Sequence, residues 1–142
     1  MKYKFSNERI SLNDFFIKLN LITNNKLSFS VSEDVLKNIN NEFEIIKNNS
    51  NSLNPVYGLN TGLGGNLNYK LQNNEVGNFQ DYVIKGRAVS TGNYLYQNIG
   101  LITLFARCIQ ISRGKTGISP ALFKYLFRCL EEKIDPAIPE YG

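Results

Sequence analysis

The chain has 142 residues, a formal net charge of +4, 42% hydrophobic residues and no histidine. The missing imidazole excludes Ser-His-Asp and Cys-His catalysis and most zinc sites. Sixteen Lys and Arg, scattered from Lys2 to Lys133, form no basic stripe of the kind that nucleic acid requires. The length suits a single domain, 1–142, burying roughly two thirds of its unfolded surface.

MKYKFSNERISL opens the chain without an apolar run, so neither a secretory leader nor a membrane span is expected. Ser11 is placed to cap a short helix with Leu12, Phe15, Phe16 and Leu19 on one face. LSFSVS (27–32) alternates Leu27, Phe29 and Val31 and predicts a short strand. Ser30 or Ser32 then caps a helix to about Lys47, with Leu36, Ile39, Phe43 and Ile46 at helical spacing. NNSNSLNP (48–55) predicts a turn-rich exit, followed by a glycine-rich loop at 55–66. From Asn73 a helix runs toward Arg87, with Val76, Phe79, Val83 and Ile84 inward and two weakening glycines, Gly77 and Gly86. NIGLITLFARCIQIS (98–112) is apolar nearly all round and calls for neighbours on every side. Ser119-Pro120 starts a last helix, a cap followed by proline at the first position. IDPAIPEYG ends in extended chain. The fold class is therefore mainly α.

All twenty asparagines fall in the first 98 residues, so a solvated, loop-rich first part precedes a denser helical one. Cys108 and Cys129 both sit in apolar helical pattern. Buried, reduced thiols in a cytoplasmic protein are the expectation, rather than a disulfide or a metal site.

PVYGLNTGLGGN (55–66) carries Gly58, Gly62, Gly64 and Gly65 beside a single ionisable group, Tyr57. It lacks the Lys-Ser/Thr of a phosphate-binding loop and the spacing of a dinucleotide loop. RGKTG (113–117) contains Gly-Lys-Thr, but Ile109 stands where that motif needs its first glycine. What remains is a plain surface loop, or a mobile loop that swings a polar side chain into place. A free phenol, with a pKa of about 10, is a weak base at neutral pH unless its surroundings change that.

Four segments in order carry more: YGLNTGLG (57–64), FQDYVIKGRAVSTG (79–92), RGKTGIS (113–119) and IDPAIPEYG (134–142). Together they resemble the amino-terminal part of the aromatic amino acid ammonia-lyase and aminomutase family, which includes the histidine, phenylalanine and tyrosine ammonia-lyases. The resemblance covers about residues 8 to 142. It implies an ammonia-lyase-like helical fold and elimination of ammonia from an aromatic amino acid. It also implies a methylidene-imidazolone electrophile, self-formed from Ala-Ser-Gly, and a homotetramer with shared active sites. By the same resemblance Tyr57 is the loop base that removes a β-proton. Asn60 matches an asparagine near the electrophile, Gly64 a backbone position of the substrate loop, and Gln80, Arg107, Gly114 and Gly117 also fit. The glycines would let the loop close over a small substrate and shed water.

The match has departures. Gly86-Arg87 stands where the family receives the substrate ring, so Arg87 either recognises an unusual or acidic substrate or turns outward. Tyr82 replaces an Asn, and Gly100 and Ser119 each replace an Arg. Arg107 is expected to be a structural ion-pair partner. The family continues past Pro-x-x-Gly with Ser-x-Gly-Ala-Ser-Gly-Asp, whereas the 142 residues reach Gly142 and contain no Ala-Ser-Gly. The chain is therefore expected to be an incomplete, amino-terminal piece that forms no electrophile and is inactive alone, with apolar surface exposed on helix 98–112. An aminomutase fragment, half of a split enzyme, and a non-catalytic interaction domain are the alternatives.

Overall fold

The computed structural model describes residues 1–50, 54–72 and 74–141. Among them lie five helices: α1 (Leu12–Thr23), α2 (Glu33–Ser50), α3 (Val76–Arg87), α4 (Ile99–Ser112) and α5 (Pro120–Glu131). Short strands β1 (Lys2–Phe5), β2 (Ser28–Val31), β3 (Thr91–Tyr94) and β4 (Pro139–Tyr141) complete the order, and the chain is mainly α as expected. The start of a helix at Asn73, part of the 48–55 exit, and Gly142 fall outside the described residues.

Capping follows the sequence closely. The Ser11 hydroxyl oxygen accepts the Asp14 N–H at 3.0 Å, and the Ser119 oxygen accepts the Leu122 N–H at 3.1 Å with Pro120 next in line. Ser32, not Ser30, caps α2 by accepting the Val35 N–H at 3.4 Å. That helix continues through Asn48 and Asn49 to Ser50, beyond the turn expected there.

The chain forms two compact units, Met1–Phe43 with Tyr94–Ile138, and Glu44–Asn93 with Pro139–Gly142. In the first, β1 pairs parallel with β2 from Lys2 opposite Ser28 to Phe5 opposite Val31. Parallel strands need a long crossover, and α1 supplies it. β1 was not anticipated: its alternation of Lys2, Tyr3, Lys4 and Phe5 is only four residues long, yet Phe5 is fully buried. α4 packs on β1 and α5, and Phe105 sits at the centre with ring centroids 5.3 Å from Tyr3, 5.7 Å from Phe5 and 5.9 Å from Phe29. Phe15 stacks on it at 5.7 Å. A smaller cluster joins Val35, Ile39, Ile111 and Phe123.

Two packing expectations are corrected. The large apolar side chains of α4 are buried or half-buried, so that helix does not leave the exposed apolar surface foreseen for it. Exposed apolar groups lie instead on α1, where Leu12 and Phe16 are 76% and 63% exposed. The stripe that reaches the core follows Phe15, Leu19 and Ile22, and Phe16 lies about 100° round the helix from Phe15. On α2 the same holds: Val35 and Ile39 are buried, while Leu36 and Ile46 are 42% and 36% exposed.

α4 begins without a cap of its own. Asn98 is left-handed, with φ 71°, and its side chain caps nothing. Asp135 does the work from a distance, its carboxylate accepting the Asn98 N–H at 2.6 Å and the Leu101 N–H at 2.8 Å. A negative charge there also complements the helix dipole. The approach is so close that a Cβ on Gly100 would lie 2.0 Å from the Pro136 carbonyl oxygen and 2.8 Å from Asp135 Oδ1. Gly100→Ala is therefore expected to cost about 3 kcal/mol and lower Tm by roughly 10 °C. An unchanged Tm by circular dichroism would mean that α4 does not meet residues 135–136 this tightly.

The RGKTG segment is a turn after α4, with Gly114 and Lys115 at positive φ. The Glu42 carboxylate accepts the N–H groups of Lys115 at 2.7 Å and Thr116 at 3.1 Å. Amides that a phosphate would need are thus engaged by an internal anion, consistent with the failed motif spacing. Arg107 is exposed and donates to Gln110 Oε1 at 2.5 Å, so its partner is an amide and not the acid expected.

Cys108 and Cys129 are buried free thiols. Burial, with a smaller contribution from Cys129 and against the opposing Arg107 charge, pushes the Cys108 thiol up to about 12. An unfolded thiol ionises near 9 and the folded one near 12, so between those values the unfolded chain has lost the proton and the folded chain has kept it. Stability from this group is therefore whole below pH 9 and falls by about 1.4 kcal/mol per pH unit above it. Denaturant titrations from pH 8 to 11 check this, and Cys108→Ser should flatten the fall.

Candidate functional site

The glycine-rich stretch lies wholly in the second unit. Val56 to Asn60 form a turn in which the Val56 carbonyl accepts the N–H groups of Leu59 at 3.1 Å and Asn60 at 3.2 Å. Gly58 sits at φ +71°, a region that side chains rarely adopt. Thr61 and Lys70 form an antiparallel bridge, with the Gly62 N–H donating to the Tyr69 carbonyl at 3.0 Å and the Leu71 N–H to the Asn60 carbonyl at 2.9 Å. A short 3-10 turn, Gly64–Asn66, rounds the tip. Gly62 is small by necessity, since a Cβ there would lie 2.5 Å from the Asn66 carbonyl oxygen. The stretch is a small folded unit, closed by its own backbone.

Asn60 is the buried centre of that unit, only 1% exposed. Its Oδ1 accepts the Val56 N–H at 2.7 Å, and its Nδ2 donates to the Asn54 carbonyl at 3.0 Å. A buried amide in hydrocarbon would be costly unpaired, and here its polar atoms are met by Val56, by Asn54 and, at 3.5 Å, by the Asn49 carbonyl of α2. Tyr57, by contrast, is 64% exposed. Among the described residues its hydroxyl has no hydrogen-bond partner and its ring no aromatic neighbour. Gly64 is exposed at φ +58°.

A hydrogen bond joins α3 to this loop: Gln80 Nε2 donates to the Gly58 carbonyl at 2.8 Å. Sequence reading noted that Gln80 fits the family pattern but gave it no task, and a contact across 22 residues leaves no local signal. Arg87 ends α3, exposed beside Lys85 in the last turn, where cations suit the helix dipole. Among the described residues no hydrogen bond or ion pair joins Arg87 to the loop. Tyr82 is 74% exposed and Ile84 66%, so the expected inward face of α3 is confined to Val76, Phe79 and Val83, all half-buried. The structure thus brings Tyr57, Asn60 and Gly64 onto one loop, with Gln80 against it. A cavity of about 550 Å³ lies in the first unit, lined by Phe15, Ile109 and Arg113 among others, and shares no residue with that loop.

Fold and loop define a helical protein that presents an exposed tyrosine on a self-bonded glycine turn. A family model described as aromatic amino acid lyase matches residues 18–142, and the chain belongs to that family. The histidine ammonia-lyase of Shewanella woodyi is 26% identical over 121 residues, covering 85% of this chain and 24% of that protein. A probable histidine ammonia-lyase of Thermoplasma acidophilum is 28% identical over 113 residues, or 80% and 23% of the two chains. Among solved structures, the phenylalanine aminomutase of Pantoea agglomerans superposes with a TM-score of 0.82 at 25% identity, over all of this chain and 27% of that one. The chain spans about a quarter of the length of the curated relatives it matches. No helix among the described residues is long and apolar enough to cross a membrane.

Proposed function

We propose that these residues are the amino-terminal part of an ammonia-lyase acting on an aromatic amino acid (histidine, phenylalanine or tyrosine), with Tyr57 as its loop base. The observation that carries the proposal is the placement of Tyr57: an exposed phenol on a family motif, with no hydrogen-bond partner among the described residues. As the phenolate, its oxygen takes a proton from the substrate's β-carbon, the C–H electron pair becomes the α,β double bond, the C–N bond breaks with its pair on nitrogen, and ammonia and an α,β-unsaturated acid result. The loop glycines let the backbone lie close over a small substrate and exclude water, which strengthens the electrostatics inside. Gly64 offers the substrate bare backbone, Asn60 holds the turn beneath Tyr57 from its buried place, and Arg87, exposed at the end of α3, would meet only an unusual or acidic substrate.

In this family a methylidene-imidazolone supplies the electrophilic carbon that captures the substrate's amino group or ring. No Ala-Ser-Gly run occurs in the 142 residues, so the residues present do not fit the formation of that group. Another segment would have to provide it, in the same cytoplasmic chain or in a partner subunit of a homotetramer. The 142 residues alone are accordingly proposed to be inactive, which leaves a split enzyme as the second arrangement. Migration of the amino group in place of elimination is a second chemistry, favoured by the likeness to an aminomutase.

The test is an ultraviolet assay for unsaturated acid with histidine, phenylalanine and tyrosine. The chain alone should give no signal, and the chain joined or mixed with a segment bearing Ala-Ser-Gly should give one. Turnover by the 142 residues alone would overturn the proposed inactivity. No turnover in any combination, with the folded chain verified, would overturn the lyase reading in favour of a non-catalytic domain.

A further inference from the structure

The side chain of Tyr57 makes no hydrogen bond among the described residues, so its aim depends on the backbone that carries it. On either side of Tyr57, one peptide unit removed, that backbone is held by a side-chain amide. Before it, the Val56 N–H donates to Asn60 Oδ1 at 2.7 Å; after it, the Gly58 carbonyl accepts from Gln80 Nε2 at 2.8 Å. Asn60 belongs to the loop itself, although its Nδ2 also reaches the Asn49 carbonyl on α2 at 3.5 Å. Gln80 does not: it stands on α3, on the half-buried stripe otherwise formed by Val76, Phe79 and Val83. A polar side chain on an apolar stripe needs a partner, and here that partner is the carbonyl next to Tyr57. Because Gly58 is at φ +71°, its carbonyl points where an ordinary turn residue would not send it.

We infer that Gln80 is a positioning residue, a strut that transmits the fixed position of α3 to the Tyr57 backbone and so sets where the phenol oxygen stands. The inference rests on the reading of Tyr57 as the base. It goes beyond that reading by assigning the orientation of Tyr57 to a residue that never meets substrate. A displacement of about 1 Å in a reacting group costs up to about a hundredfold in rate, so the effect belongs in kcat and not in KM.

Gln80→Glu separates shape from donation, because a carboxylate has the same outline and cannot donate to a carbonyl. Gln80→Leu is the second variant, should the charge disturb folding. In the 142-residue chain labelled with carbonyl-13C glycine, the Gly58 resonance should shift in both variants while that of Gly100 stays in place as a folding control. In the assembly that turns over, kcat should fall about ten- to a hundredfold with KM within about threefold. An unshifted Gly58 resonance, or a parental kcat in Gln80→Glu beside a dead Tyr57→Phe, overturns the strut alone. A parental rate in Tyr57→Phe overturns the reading of the base, and the Gly58 shift still decides whether the strut exists.

Discussion

Replacing Tyr57 by phenylalanine is expected to lower kcat by about 10²- to 10⁴-fold, the usual contribution of a positioned general base. The substitution removes one oxygen and leaves the ring, so substrate contact with the ring persists and KM should change little. The fold should not notice. Tyr57 is 64% exposed, and its hydroxyl bonds to nothing among the described residues. Surface changes of this kind stay within about 0.5 kcal/mol. A large loss of rate with an unchanged Tm is therefore the signature of a base. A parallel loss of both would point to a structural role, and an unchanged rate would remove Tyr57 from the chemistry.

Phe105→Ala is expected to be the most destabilising single change in the first unit. The side chain is fully buried, and four aromatic rings (Tyr3, Phe5, Phe15 and Phe29) approach it within 5.9 Å. Truncating a core phenylalanine costs about 3–5 kcal/mol, because transfer energy is lost and a cavity remains. Each ring contact adds a directional term of about 0.5–1.5 kcal/mol. Against a total stability of about 5–15 kcal/mol, that loss leaves a marginal protein. Urea unfolding should show a much lower midpoint with little change in slope. A cost below about 1 kcal/mol would mean that β1, β2 and α4 do not share one core.

Much of the helical frame was legible because its signals are local. Ser11, Ser32 and Ser119-Pro120 mark helix starts through bonds spanning three residues, and those bonds are present. The strand at 27–32 shows itself by alternation, and β2 lies within it. β1 escaped notice because four residues give too short a pattern, and its pairing with β2 lies across a helix. The inward faces of α1 and α3 were read too wide. Spacing places an apolar stripe to within a turn of the helix, but which edge of it meets a neighbour depends on where that neighbour is.

At the site, the residue types and their order pointed to Tyr57, Asn60, Gly64 and the family, because a motif is a property of the chain itself. Its geometry was not written there. That Asn60 turns its amide inward, that Gln80 reaches Gly58 from 22 positions away, and that Asp135 caps α4 from 37 positions away follow from contacts between distant segments. Sequence by itself determined the helices, the caps of α1 and α5 and the family, all of which rest on neighbours along the chain. Only the tertiary structure decided which amides hold Tyr57, because a hydrogen bond forms where two groups meet in space, and local propensity carries no record of that meeting.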